Sequence, residues 1–582
     1  MVELEQREPR TATAEGHSAK PRLVFFKYRY PRHLPEFLLT HFKEHDRCLS
    51  QFFDVTTIAE DCDYEEICDR YQPDLAVFET GLNISTCQKA RIRNARAVPQ
   101  VPKVALFNAD AWCETRAATL SEMDEWGIET YFSIAVTAAE HAPEIADRLY
   151  IWPNSVDPEI FRDYQEHKLI PVLLTGAKGS QYPWRKAVFD LVAEHYPTLS
   201  CPHHGYINRS GTGQAVHGEA YARLINASMF VPACGTVAKE LVRKHLEVPA
   251  CNTCLIAEKS PALEAAGFVD MKNCVFADGN DILDKLGHLL EHPKELQAIT
   301  RAGYTLVQSR HTQRQRDQLL QWYRLHKTLR NGERIVQTNP FAPLTVVPVE
   351  RRAGNVHVIS HGLHLSMMRR GDEHLWAGEY HAAEECYTKC LQYTRRFPEA
   401  LFRLVLCDLH TGNAQAADAR LRDLQQYTLA ERNARDPEPV EWAYYILTAL
   451  CLGDTRQALE RSGQFEWLQH PELDRARRAA NLLAGRNENL PPADSVARRA
   501  TIHQLPARDQ REWEMDLCRM LRACSQGAAA ERLSKHERPV SRGLGRIGAI
   551  LPRRNGVSSF KRRLFYDKVR RRVRNLRRRF IG

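Results

Sequence analysis

Residues 149–161 read LYIWPNSVDPEIF. An apolar run, 149–152, ends at Pro153-Asn154, a pair suited to a turn because Pro fixes φ and Asn bonds its own backbone. Asp157 offers a second local acceptor, and Phe161 can anchor the chain once it has turned. Strand-like runs accumulate up to this stretch, stop, and begin again at IPVLLTG, 170–176. The stretch therefore reads as a crossover between two domains of one kind.

Upstream, the strand-like runs are LVFF (23–26), DVTTI (54–58), DLAVFE (74–79), KVALFN (103–108), YFSIAV (131–136) and LYIW (149–152). Downstream they are IPVLLTG, SMFVPA (228–233), TCLIAE (253–258) and NCVFAD (273–278). Several are apolar throughout, as strands buried on both faces must be. Amphipathic stretches separate them, with helices expected at 33–48, 138–147, 185–195, 238–248 and 281–291. Strand–helix alternation implies parallel, doubly wound sheets. The expected fold is α/β, with two Rossmann-like domains at 21–165 and 166–330. Such a pair places a ligand cleft between the carboxyl ends of its two sheets.

Beyond 330 the strand pattern fades. Residues 331–365 carry Pro, Gly and β-branched residues and are expected to be a linker. An all-α repeat domain is expected over 366–525. Gly378, Gly412 and Gly453 are each followed five positions on by Ala, at Ala383, Ala417 and Ala458, and Pro398 separates the first unit from the second. Gly ends a helix and small residues let paired helices approach. The pattern resembles tetratricopeptide repeats, which implies a protein partner on the helices and a module separable from residues 1–335.

The chain has 582 residues and a net charge of +9. The last 22 residues, 561–582, hold eleven Lys/Arg and one Asp, so the rest of the chain is almost neutral. That excludes a uniformly basic nucleic-acid binder. Within the tail Phe565, Val569, Val573, Leu576 and Phe580 share one helix face, the pattern of a basic helix that lies on an anionic membrane. Residues 526–560 read as a second linker. Residues 1–20 are polar, lack the apolar core of a secretory signal, and are expected to be a disordered lead-in. Sixteen scattered cysteines without framework spacing suit reduced thiols. The expected location is cytoplasmic, peripheral at the inner face of the membrane through the tail.

Two further patterns carry chemistry. The 149–161 stretch resembles the P-N-G-V-D-x-x-x-F crossover of nucleotide-sugar glycosyltransferases with the two-Rossmann GT-B fold, with Ser155 in place of Gly. Residues 218–318 resemble the second domain of the spore-maturation (CgeB-like) glycosyltransferases. The matching segments are Tyr221…Leu224…Asn226…Ser228, KHLEVPACNT (244–253), Gly267-Phe268 and HTQRQR (311–316). The family's Arg falls on Lys244, with Arg243 beside it, and the Gly after Cys falls on Asn252. Lys can neutralise a phosphate but cannot fork onto it.

This resemblance implies a hexosyltransferase-type enzyme that moves a sugar from a nucleoside diphosphate sugar to an acceptor hydroxyl. A carboxylate on a helix, Glu247, would accept the ribose hydroxyls. Cations would meet the leaving diphosphate, and the candidates are Lys244, Arg243, Arg185 and the TGAKGS loop (175–180) with Gly176 and Lys178. In the first domain Asp110, just past a strand in LFNADAW (106–112), is the candidate general base. Glu79, in FETG (78–81), is the second, and Tyr28, Arg29 and Tyr30 could line the acceptor side. The acceptor could be a glycan, a lipid-linked sugar or a protein. The resemblance implies no cofactor and no required metal. Cys251 and Cys254, with Cys201, His203 and His204, do not have zinc spacing. The Lys244 and Asn252 departures leave a rival reading open, a catalytically silent glycosyltransferase-like scaffold whose repeats bind a protein.

Overall fold

The computed structural model describes residues 10–11, 20–31, 34–84, 87–201, 216–351, 354–486 and 499–536. The first sheet comprises β1 (Arg22–Phe26), β2 (Asp54–Ile58), β3 (Leu75–Thr80), β4 (Lys103–Phe107), β5 (Thr130–Ser133) and β6 (Leu149–Ile151). Every strand is parallel to its neighbours, in the order β6-β5-β4-β3-β1-β2. The second sheet comprises β7 (Ile170–Thr175), β8 (Thr198–Cys201), β9 (Ser228–Ala233), β10 (Cys254–Ala257) and β11 (Val275–Phe276). It is also all parallel, in the order β8-β7-β9-β10-β11. All six residues of β3 are buried, as a central strand covered on both faces requires.

The crossover is held from both domains. Phe161 is buried in the second domain's core. Arg316 donates to the carbonyls of Pro153 at 2.8 Å and Asn154 at 2.9 Å, and Asp157 pairs with Arg47 at 2.6 Å. The chain then returns to the first domain. The helix Gln318–Lys327 buries Leu319, Trp322 and Tyr323 against Phe25, Val77 and Phe132 of the first sheet.

The stretch 331–365 is more than a linker. It forms the antiparallel hairpin β12 (Glu333–Gln337) and β13 (Leu344–Pro348). Ile335 and Leu344 extend the first domain's core, and the Gln337 amide bonds both backbone groups of Ile151, sealing the edge strand β6. The alternating apolar residues that gave the stretch its β-branched character are what it buries. Part of the lead-in is also structured, since the backbone at Arg10–Thr11 pairs with Val346 and Thr345 of β13.

Successive helices follow from Leu363–Trp376 to Gly527–His536, so the helical region enters the stretch expected as a second linker. Gly378, Gly412 and Gly453 have φ of +81°, +85° and +79°, a region that glycine enters without strain. At Gly412 a Cβ would stand 2.5 Å from the Ala523 carbonyl oxygen. Ala383, Ala417 and Ala458 are fully buried, which explains the glycine–alanine spacing.

The helices are fused to both Rossmann-like domains. Arg116 forks onto Glu399 at 2.7 and 2.8 Å, and His141 Nε2 lies 2.8 Å from His364 Nε2. Leu363 N donates to Val237 O at 2.8 Å in the second domain. Residues 499–505 form a strap between the helices and the first domain. Thr501 and His503 contact Glu438 and Glu441 at the head of the helix Pro439–Cys451, while Ile502 sits in the first domain's core. The described residues up to Lys535 accordingly form one compact unit. The basic tail lies outside the described residues. Among the described residues no helix is long and apolar enough to cross a membrane.

Candidate active site

The carboxyl ends of β3, β4 and β5 face those of β7 and β9 across a cavity of about 410 Å³, within the usual size of a small-molecule site. The first domain's wall comes from the helix Glu36–Ser50 and the loops after β3, β4 and β5. The second domain's wall comes from the β7 loop and the helices Pro183–His195, Gly218–Asn226 and Lys244–Ala250.

On the second wall two cations stand around one glycine. Gly176 follows β7 with φ +106°, and a Cβ there would lie 2.5 Å from Lys244 Nζ and 2.7 Å from Arg185 Nη1. Arg185 is buried. It donates to Ala177 O at 2.8 Å and Cys234 O at 3.3 Å, and packs over the Tyr182 ring at 4.2 Å. Its Nε has no hydrogen-bond partner among the described residues. Lys244 lines the cavity, and no hydrogen bond or ion pair to its ammonium exists among the described residues. Burial, with the Arg185 charge beside it, brings its pKa down to about 8. The Glu247 carboxylate offsets part of that penalty, and an ammonium still disfavoured by burial and a neighbouring cation, with no hydrogen bond or ion pair to it among the described residues, suits an anionic ligand.

Glu247, one helical turn on, is buried and lines the same wall. Arg243, expected to meet phosphate, is committed elsewhere. Its guanidinium lies 2.6 Å from Glu44 Oε2, 3.4 Å from Glu247 Oε1 and 2.5 Å from His41 Nδ1. Glu44 and His41 belong to the first domain, so Arg243 ties the two walls together with its charge already matched. A second tie is Glu240, which accepts from the backbone N–H groups of Val136 at 3.0 Å and Thr137 at 3.1 Å. Burial pushes the Glu240 carboxyl up to about 7 against those hydrogen bonds. Gly235 makes this loop possible, because a Cβ there would fall 1.8 Å from Glu240 O. Neither tie carries a sequence signal, since each joins residues about 100 to 200 positions apart.

Asp110 lines the cavity from the loop after β4. It is open to the solvent in the cleft, but the surrounding walls push its carboxyl up to about 6, with Glu114 adding to the shift. Glu79 does not reach the cleft. It is buried and accepts from Tyr28 N at 3.2 Å, from Tyr30 Oη, and from Asn108 Nδ2 at 2.7 Å. Those three donors brace the first wall from behind, and Glu79 itself does not line the cavity. Lys178 likewise turns to the surface, pairing with Asp190 at 2.9 Å. Of the other expected acceptor residues, Arg29 pairs with Asp61 at 2.8 Å and Tyr28 is buried. Asn252 has φ +50° and does not line the cavity, so this departure from the family pattern leaves the wall unchanged.

Cys251 and Cys254 are buried thiols, while His203 and His204 lie outside the described residues. One metal-competent grouping exists among the described residues. Glu438, Glu441 and His503 bring ligand atoms within 4.8 Å of one another in the helical region. Glu438 already caps its helix through Val440 N and Glu441 N, and His503 Nε2 lies 2.9 Å from Glu441 Oε1. Burial raises both carboxyls and lowers the imidazole, while Glu441 Oε2 and His503 Nδ1 have no hydrogen-bond partner among the described residues.

A comparison with curated proteins finds no match. Among solved structures the chain is similar to Alr3699/HepE of Anabaena in complex with UDP-glucose, at 12% identity and a TM-score of 0.36, covering 53% of this chain and 100% of that one. It is also similar to sucrose-phosphate synthase of Thermosynechococcus elongatus (12%, 0.35, 53% and 99%) and to a glycosyltransferase of Rickettsia africae (12%, 0.33, 50% and 88%). Residues 166–321, the span that supplies Gly176, Arg185, Lys244 and Glu247, match the family model described as Glycosyl transferase-like.

Proposed function

We propose that the chain is a glycosyltransferase of the GT-B type that transfers a sugar, of hexosyl type, from a nucleoside diphosphate donor to an acceptor hydroxyl in the cleft. The observation that carries this reading is Lys244, without a hydrogen bond or ion pair among the described residues, beside Arg185 at Gly176 in the span that matches the family. The diphosphate lies against the two cations, and Glu247 accepts the ribose hydroxyls. The acceptor oxygen forms its bond to the sugar's anomeric carbon as the bond from that carbon to the diphosphate breaks. The negative charge released falls on Lys244 and Arg185, where water is largely excluded and such charges act strongly. Asp110 takes the acceptor proton.

Around this core, the helical region acts as a tetratricopeptide-like platform for a protein partner, and the basic tail brings the cleft to an anionic membrane at its cytoplasmic face. A silent scaffold is the weaker reading, because it gives no reason to keep a buried lysine beside Arg185 with no ion pair among the described residues. The test is melting of the full chain against UDP, GDP and their sugars, since a ligand of the native state raises its stability. Stabilisation by one nucleotide together with slow hydrolysis of its sugar supports the reading. A panel in which nothing shifts the melt and nothing is hydrolysed overturns it.

A further inference from the structure

The two walls of the cleft differ in chemistry. Lys244, Arg185 and Arg243 all belong to the second domain. Among the described residues that line the first domain's wall there is no Lys or Arg. Two cations of that domain are engaged elsewhere, Lys27 on Asp46 at 2.6 Å and Arg47 on Asp157 at 2.6 Å, and Arg432 of the helical region, which does not line the cavity, donates to the Leu82 carbonyl at 2.7 Å. The wall's own charges, Asp110 and Glu44, are both acidic.

Its remaining surface is largely apolar. Leu38, Phe42, Leu82, Ile84 and Ile134 all line the cavity, with the exposed Val216 among the residues opposite. Leu38, Phe42 and Leu82 pack with Tyr28, Leu34 and Cys87 in a small core of their own, and the Phe42 ring stacks on Tyr30 at 4.0 Å. The wall is therefore braced from behind. Ile84 and Ile134 are only half-buried. Of the polar groups on this wall, Asn108 is held by Glu79 at 2.7 Å and His41 by Arg243 at 2.5 Å, which leaves Thr40 and the exposed Asn83 beside the apolar side chains.

We infer that the acceptor is a neutral molecule with an alkyl or aryl group beside its reacting hydroxyl. This rests on the transfer reading above. The apolar group covers Leu82, Ile84 and Ile134 while the hydroxyl meets Asp110. A phosphate on the acceptor would face Asp110, and the one cation that reaches this wall, Arg243, is already matched by Glu44 at 2.6 Å, so a phosphorylated acceptor is disfavoured. A bare glycan would leave the isoleucines against polar hydroxyls.

The experiment is calorimetric titration of the full chain with hexyl β-glucoside and methyl β-glucoside, each below any micelle concentration. Hexyl β-glucoside should bind at least about ten-fold more tightly, because the wall removes its methylenes from water. Ile84→Asp, which keeps the loop but places a charge on the wall, should erase that preference in a protein that melts normally. Ile134→Asn is the second variant, should the first not fold. Equal binding of the two glycosides overturns the inference, as does a hexyl preference untouched by both variants. UDP titration in the same series keeps the two readings apart. If UDP fails to bind, the transfer reading falls, whereas the glycoside comparison reports on the wall alone.

Discussion

Replacing Lys244 by Met keeps most of the side chain's length and removes its charge from beside Arg185. In the free protein that charge is unfavourable, because the pKa of Lys244 falls to about 8 in the folded chain from its ordinary value near 10.5. A group whose folded pKa lies below its unfolded one weakens the fold at all pH below the folded value. The penalty disappears as pH rises towards the unfolded value. Lys244→Met should therefore melt at pH 7 no lower than the parent. Nucleotide binding should suffer instead. A hydrogen bond to a charged group contributes about 1.5–3 kcal/mol, which corresponds to roughly ten- to 150-fold in Kd. The parent should also show a pH signature. With a pKa of about 8 the ammonium is about nine-tenths protonated at pH 7 and about one-tenth at pH 9. UDP affinity should then fall by about five- to nine-fold between those values, and Lys244→Met should lack that fall. Calorimetric titration of UDP and GDP at pH 7, 8 and 9 measures both effects. A folded Lys244→Met protein that binds nucleotide like the parent, or a parent affinity that is flat with pH, refutes the assignment of this lysine to the diphosphate.

Glu247→Ala should keep the fold, because Arg243 retains Glu44, while raising the donor KM about ten- to a hundred-fold through the lost ribose hydrogen bonds; steady-state kinetics over donor concentration check it. Asp110→Asn should cut kcat by about a hundred-fold or more and leave UDP affinity intact. The parent's kcat/KM should rise through about pH 6 as Asp110 ionises and decline above about pH 8 as Lys244 loses its proton. Gly235→Ala should lower the melting temperature, because a Cβ 1.8 Å from Glu240 O forces the backbone apart, an overpacking penalty of about 1–3 kcal/mol. A chain ending at residue 335 should aggregate or melt early by scanning calorimetry. It cuts through β12, strips Arg116 of Glu399 and uncovers the surface under the helices.

The two parallel sheets were legible in the sequence because a strand buried on both faces must be apolar along its whole length, and that is a local property. The crossover at 149–161 was legible for the same reason, through a Pro-Asn turn and an apolar Phe161. The helix pairs could be read from the recurrence of Gly and Ala at one spacing, since a left-handed turn and a close helix contact each permit few residues. Lys244, Arg185, Gly176, Glu247 and Asp110 could be picked out as single residues, and all five line one cavity.

What each residue is free to do was decided only by the fold. Glu79 and Asp110 both sit at strand ends on matching sequence grounds. Only the packing of Tyr28, Tyr30 and Asn108 makes one a structural knot and leaves the other facing the cleft. Arg243 and Lys244 are neighbours in sequence, yet Glu44, about 200 residues away, claims the first, while the second has no ion pair among the described residues. The fusion of the helices to both Rossmann-like domains through Arg116–Glu399 and the 499–505 strap is likewise a product of tertiary structure. Periodicity registers whether a side chain is buried. It carries no record of which distant partner takes up a charge or a hydrogen bond, because such partners meet only when the chain folds.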